Sequence, residues 1–302
     1  MILASNMKLN YFLIMDPRLT VSIPVGGVDV QEFLECILSL QEQEIDEPFL
    51  VNFYDDANTD PELIEVLDQL NSKSEYKVIH GKIKVGVSEA RNILLNECNT
   101  DFCLFFDADD VLLPNAIKTF LEHSSEADVI QCDYRFTHHP YASSWYDYDV
   151  KKLRSRFFSN TRKFDFGAGH MFFRTEALKD KFKFDKNLKV AEDYVFMADI
   201  LLGSNDVSYL KIPELLWHYR NEHKSGIPNL LKSPEAKDCE VAARGIVCKK
   251  HLHLDLSSKT LRHMTWPNPI NDSVVIKELK EFFDVIKKDD RFDYQFLREH
   301  FK

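Results

Sequence analysis

Three carboxylates stand within four residues at Asp107-Ala108-Asp109-Asp110, directly behind the apolar run Phe102-Cys103-Leu104-Phe105-Phe106. Five apolar residues in a row read as a strand buried on both faces, so the acids fall where that strand leaves its sheet. In open α/β sheets this is the edge that binds ligands. Like charges so close together repel unless a cation sits among them. Hard oxygen donors suit Mg²⁺ or Mn²⁺, whose coordination is often completed by substrate phosphates. Read alone, an Asp-x-Asp is more often a turn with a helix cap, here Asp110 ahead of a following helix. Two further acidic pairs share the same ambiguity. Asp55-Asp56 closes a loop that Asn58 serves equally well as an Asx turn, and Glu192-Asp193 opens a helix whose dipole favours an ionised first-turn carboxylate.

These acids need a scaffold, and the flanking pattern supplies one. Thr20 to Val25 predicts a first strand, followed by a tight turn at Gly26-Gly27. Asp29 and Glu32 have capping-box spacing before a helix lined by Phe33, Leu34, Ile37 and Leu38. Pro48 to Tyr54 predicts a second strand, and Asp60 with Pro61 starts the next helix. Tyr76 to His80 predicts a third strand, Ser88 the cap of a helix carrying Ala90-Arg91-Asn92, and Pro114 the start of another. Asp128 to Tyr134 predicts a fifth strand. Regular alternation of strand and helix predicts a parallel, doubly wound sheet.

The character changes after Arg135. Residues 138–166 lack periodicity and are rich in aromatics, and the stretch Lys151 to Lys163 holds six basic residues and no acid. Further strands are expected at His170 to Arg174 and Val207 to Ile212, with Trp217 to Arg220 a strand or its exit. From Ser233 the pattern is helical. The expected organisation is an α/β unit over residues 1–230 and a helical C-terminal extension over 231–302 packed on it.

Composition narrows the function. The chain of 302 residues is 44% hydrophobic and 29% charged, an ordinary globular balance. Its net charge of −11 argues against a nucleic-acid partner, which needs a basic footprint. The six cysteines include no Cys-x-x-Cys pair and read as buried thiols of a reducing compartment. With no signal-peptide pattern and no membrane-length apolar run, the expected location is cytoplasmic, with peripheral contact at the inner face of a membrane through the basic stretch or the helical tail as an option.

In order along the chain stand Val21-Ser22-Ile23-Pro24-Val25, Leu38-Ser39-Leu40-Gln41-Glu42-Gln43, Asp55-Asp56-Ala57-Asn58-Thr59-Asp60, Gly86-Val87-Ser88-Glu89-Ala90-Arg91-Asn92, the Asp-x-Asp segment and Ala191-Glu192-Asp193. This set resembles the inverting glycosyltransferases of family 2, over about residues 20 to 225. The resemblance implies a GT-A fold, a mainly parallel Rossmann-like sheet flanked by helices. It also implies a Mn²⁺ or Mg²⁺ cofactor, a nucleotide-diphosphate sugar donor (a UDP-sugar above others) and a hydroxyl acceptor on a glycan or lipid-linked molecule. It makes Asp193 the general base and Glu192 an acceptor or positioning residue. Pro24, Val25, Asp55, Asp56, Arg91 and Asp107 would lie along the nucleotide, and Asp109 with Asp107 at the metal. Among later residues His218 is a further metal candidate, and His170, Arg220 and His223 are candidates for acceptor or diphosphate contacts. One departure stands out: the family usually carries an aromatic residue shortly after the first-strand proline, where this chain has Val25-Gly26-Gly27. Two other readings fit parts of the pattern. A nucleotidyltransferase would want an Arg-containing glycine loop after the first strand, and a non-catalytic nucleotide- or glycan-binding protein would have no need for all the acids.

Overall fold

The computed structural model describes residues 16–136, 149–159, 171–204, 206–220, 234–266 and 270–301. Among them, eight strands form one sheet in the order β3-β2-β1-β4-β7-β6-β8-β5. The strands are β1 (Leu19–Val25), β2 (Leu50–Asp55), β3 (Tyr76–His80), β4 (Phe102–Phe105), β5 (Val111–Leu112), β6 (Val129–Phe136), β7 (Met171–Arg174) and β8 (Tyr209–Tyr219). Helices α1 (Val30–Gln41), α2 (Pro61–Asn71), α3 (Val87–Glu97), α4 (Ala116–Glu122), α5 (Val150–Arg156), α6 (Thr175–Leu178) and α7 (Glu192–Gly203) connect them. The C-terminal part is helical as expected, at Pro234–Leu252, Ser258–Thr265, Ser273–Lys288 and Tyr294–His300.

Strands β1 to β4 are mutually parallel, with β1 between β2 and β4. The sheet is mixed rather than wholly parallel, because β7 inserts antiparallel to both β4 and β6. A short apolar run such as Met171 to Arg174 does not encode its direction, which packing decides. The two pieces expected at 207–212 and 217–220 are one eleven-residue strand, β8. Its register against β6 shifts between Gln131 and Tyr134, close to Pro213, as a proline inside a strand requires. Ser88 lies inside α3, and the N-cap is Gly86 at φ 84, a left-handed conformation that glycine adopts without penalty. Asn115 rather than Pro114 precedes α4. Asp29 and Asp60 cap α1 and α2 as their spacing predicts.

The β4 run alternates between two cores. Phe102, Leu104 and Phe106 pack with Phe33, Ile37, Leu67 and Phe120 of the helices on one face. Cys103 and Phe105 pack on the other with Val195, Phe196 and Ile200 of α7 and with Val247, Leu261, Phe282 and Leu297 of the C-terminal helices. The C-terminal helices therefore share a core with α7. They also satisfy the end of that helix. Arg154 of α5 donates to the Leu201 carbonyl at 2.8 Å, and Arg291 donates to the Leu202 carbonyl at 2.8 Å and to the His251 carbonyl at 3.0 Å. Cations at a helix C-terminus also suit its dipole. Arg156 is buried as well. Of the four described basic residues of the 151–163 stretch, the two arginines thus face the protein interior, and Arg162 and Lys163 lie outside the described residues.

Candidate active site

Four parallel strands bring the ends of β1, β2 and β4 to one edge, and α7 opens beside them. Strand pairing continues to the brink of the acidic turn, where the Phe106 N–H donates to the Ser22 carbonyl at 3.0 Å. Asp107 and Asp109 beyond it are half-buried, and Asp110 is 1% exposed.

The turn and α7 are joined by one buried side chain. Arg91 of α3 donates to Asp107 Oδ1 at 2.7 Å and to Glu192 Oε1 at 2.8 Å. Its guanidinium lies over the Phe184 ring at 5.4 Å. The next residue, Asn92, holds Phe184 in place. Its Nδ2 donates to the Phe184 carbonyl at 3.0 Å and its Oδ1 accepts the Phe184 N–H at 2.8 Å. Consecutive residues of one helix thus fix the segment that leads into α7. Burial alone would lower the Arg91 pKa, but the carboxylates of Asp107, Glu192 and Asp193 outweigh it and hold it above the ordinary value.

Glu192 and Asp193 form the first turn of α7 after Ala191, whose φ of 63 is uncommon outside glycine. Asp193 Oδ1 accepts the Tyr194 N–H at 2.7 Å. The helix dipole does not dominate its ionisation as expected. Burial, and then the neighbouring Glu192 charge, push the Asp193 carboxyl up to about 7, against the opposing pull of Arg91. A carboxyl in that range is matched to general base work near neutral pH.

Beyond β1 and β2 the acids are bound to their own loops. Asp55 Oδ1 accepts the Asn58 N–H at 3.0 Å and the Asn58 Nδ2 at 2.7 Å, while Oδ2 meets His80 Nδ1 at 2.9 Å. Asp56 accepts the Val85 N–H at 2.6 Å and the Gly86 N–H at 3.0 Å. Asn58 reaches back to β1, its Nδ2 donating to the Val25 carbonyl at 2.8 Å and its Oδ1 accepting the Gly27 N–H at 2.9 Å. Pro24 and Val25 are in register with Tyr54 and Asp55. Gly26 approaches Asp56, where an added Cβ would lie 3.5 Å from the Asp56 Cβ. The three loops are one preformed rim.

The cap-or-site ambiguity of Asp110 resolves into a third arrangement. It accepts the Trp217 indole N–H and the Arg220 main-chain N–H, both at 2.8 Å, and so ties the turn to the end of β8. Burial and then the Asp109 and Asp107 charges raise its pKa well above the usual range. Arg220, expected at a diphosphate or acceptor, is bonded to the Asp109 carbonyl at 2.8 Å and to Glu35 at 2.6 Å. His218 is in register with Val111 and Arg135, and its Nε2 is buried without a hydrogen-bond partner among the described residues. Burial and then the Arg135 charge lower its pKa, which leaves a neutral imidazole. His170 and His223 lie outside the described residues. Tyr219 was not anticipated. Burial raises its phenol pKa, and so do Asp110, Asp107, Asp109 and Asp193, so it belongs to the acidic centre. Its only signal in the sequence is its place between His218 and Arg220.

Among the described residues no group of three or more His, Cys, Asp or Glu side chains is gathered to hold a metal. A divalent cation that takes most of its ligands from a diphosphate and water needs only one or two carboxylates. Asp109 and Asp107 are donors of the right type, and the repulsion that raises Asp110 is the kind a cation relieves. The residues fit Mg²⁺ or Mn²⁺ on those terms.

A family model described as glycosyl transferase family 2 matches residues 21–183, more than half of the chain. No curated protein matches the sequence. Among solved structures, S. aureus TarS 1-349 in complex with UDP-GlcNAc superposes with a TM-score of 0.62 at 20% identity, covering 89% of this chain and 81% of that one. The same TarS fragment in complex with UDP gives 0.60 at 20% identity, covering 89% and 79%. The mannosyltransferase PcManGT from Pyrobaculum calidifontis, in complex with GDP-Man and Mn²⁺, gives 0.56 at 15% identity, covering 92% and 77%. At these identities the likeness is one of fold.

Proposed function

The chain belongs to glycosyl transferase family 2 and is a glycosyltransferase, and from that premise we propose that it moves a sugar, with inversion, from a nucleotide-diphosphate sugar to a hydroxyl of a glycan or lipid-linked acceptor. The observation that carries this reading is the Arg91 bridge. It draws the Asp107 end of β4 and the Glu192-Asp193 end of α7 together.

Asp193 accepts the proton of the acceptor hydroxyl as that oxygen attacks the anomeric carbon from the face opposite the leaving diphosphate. One displacement of this kind inverts configuration. Glu192 is paired with Arg91 and orients the first turn of α7. The rim of Pro24, Val25, Asp55 and Asp56 receives the nucleotide. UDP is favoured as its identity, supported by the UDP and UDP-GlcNAc held by TarS. Asp109 and Asp107 would hold Mn²⁺ or Mg²⁺, with His218 as a further candidate, and the ion would supply Lewis-acid neutralisation of the departing diphosphate. The Mn²⁺ in PcManGT supports that choice of cofactor. Tyr219 keeps its phenol proton in the field of the acids.

The test is turnover of UDP-, GDP- and dTDP-sugars with added Mn²⁺, comparing the wild type with Asp109→Ala and Asp193→Asn. Both variants should bind nucleotide and fail to turn donor over. Full turnover by Asp193→Asn would remove the base assignment.

A further inference from the structure

The acidic turn is fastened by a second set of bonds that engages the main chain of Asp107 and Asp109 rather than their carboxylates. Asp110 has both carboxylate oxygens occupied from β8, by the Trp217 indole and the Arg220 N–H. The Arg220 Nε donates to the Asp109 carbonyl at 2.8 Å, and its Nη2 reaches Glu35 of α1 at 2.6 Å. The Cys36 thiol, also on α1, meets the Asp107 carbonyl at 3.8 Å. Directly after the turn, Val111 and Leu112 pair with His218 and Trp217, and the Leu113 N–H donates to the Leu216 carbonyl at 2.9 Å. The main chain is therefore held before, at and after Asp109. Trp217 is 1% exposed and packs edge-on against Phe106 at 4.8 Å, so it is sealed from any substrate.

We propose that Asp110, Trp217, Arg220 and Glu35 form a positioning latch that presents the Asp109 carboxylate to a divalent cation, so that β8 sets affinity for the metal–nucleotide pair without touching it. The latch rests on the metal-dependent reading above. Its logic is preorganisation: a carboxylate on a loose turn must be ordered each time it binds, whereas one on a fixed main chain is already aimed. The Trp217 indole supplies the bond that an apolar ring of similar shape would not. Arg220 acts as a fork, with Nε on one partner and Nη2 on another, a geometry lysine cannot copy.

The experiment titrates Mn²⁺ into the full chain with UDP, and separately with GDP, following the Mn²⁺ paramagnetic resonance signal. Donor turnover against Mn²⁺ concentration is measured in parallel. Loss of a supporting contact typically weakens metal binding about 10- to 100-fold, so Trp217→Phe and Arg220→Lys should raise the half-saturating Mn²⁺ about tenfold, and Glu35→Gln about threefold. The maximal rate at saturating Mn²⁺ should stay within about twofold in all three, because the chemistry itself is untouched. Unchanged Mn²⁺ midpoints overturn the latch. So does a fall in maximal rate for Arg220→Lys with Trp217→Phe silent, which would make Arg220 a direct donor contact. If the wild type binds no Mn²⁺ with either nucleotide, the metal reading fails and the latch with it. Should Trp217→Phe fail to fold, Glu35→Gln carries the test, since that side chain is 43% exposed.

Discussion

Asp56 takes its two partners from main-chain N–H groups 29 and 30 residues along the chain, whereas Glu192 takes its partner from the side chain of Arg91, 101 residues away. The acids after β2 are held by main-chain amides, a neighbouring asparagine and, for Asp55, the His80 imidazole. Their job of shaping the rim survives changes elsewhere. Asp107 and Glu192 at the other end share one guanidinium, and each depends on it. The first arrangement gives a rigid seat. The second gives carboxyls whose affinity for protons can be tuned, at the cost of concentrating the risk in a single residue.

Substitutions can break this contrast or sharpen it. The largest effect is expected for Asp193→Asn: turnover should fall about 10³-fold, as general base removal typically does, with nucleotide affinity by calorimetry unchanged. Arg91→Met comes next. Breaking a buried ion pair costs about 3–5 kcal/mol, so a clear drop in melting temperature should accompany a fall in turnover of about 100-fold, and Arg91→Lys should recover part of both. If Arg91→Met lost only nucleotide affinity, the two ends would not differ as described.

The pH profile follows. Asp193 holds its proton up to about 7, and only the ionised form can accept the acceptor's proton. kcat/KM should therefore rise as pH increases through about 7 and level off above it. Asp193→Asn should lose that limb, and a wild-type limb near the usual carboxylate range would contradict the assignment. Asp56→Asn is expected to do less. It weakens two charge-assisted bonds of the rim and should raise donor KM about tenfold, a cost of roughly 1.4 kcal/mol, with kcat nearly unchanged. His80→Ala, which removes a half-exposed partner of Asp55, should change donor KM by about twofold or less.

What the sequence made legible follows the same division. Asp29 before α1, Asp60-Pro61 before α2 and the unbroken apolar run at 102–106 act over a few residues, and each lies where its pattern predicts. The order of the acidic motifs was enough to imply the fold and the family. The bonds from Asp110 to Trp217 and from Arg91 to Glu192 close gaps of 107 and 101 residues. Nothing in local spacing encodes such pairs, which is why Asp110 is ambiguous in the sequence and Trp217 and Tyr219 read there only as part of a strand or its exit. The inversion of β7 and the continuity of β8 past Pro213 were hidden for a related reason. Strand direction and bulge placement are settled by neighbours far away in the chain.

The bonds from Arg154 and Arg291 to the last carbonyls of α7 bear on how the protein is made. During synthesis β1 to β4 and their helices emerge ahead of α7 and can assemble the rim of Asp55 and Asp56 from residues already outside the ribosome. The helix bearing Asp193 is translated after them, and it gains its final packing only when residues near 291 have followed. The nascent chain thus completes the rim of Asp55 and Asp56 well before the helix that carries Glu192 and Asp193 is fastened at its far end.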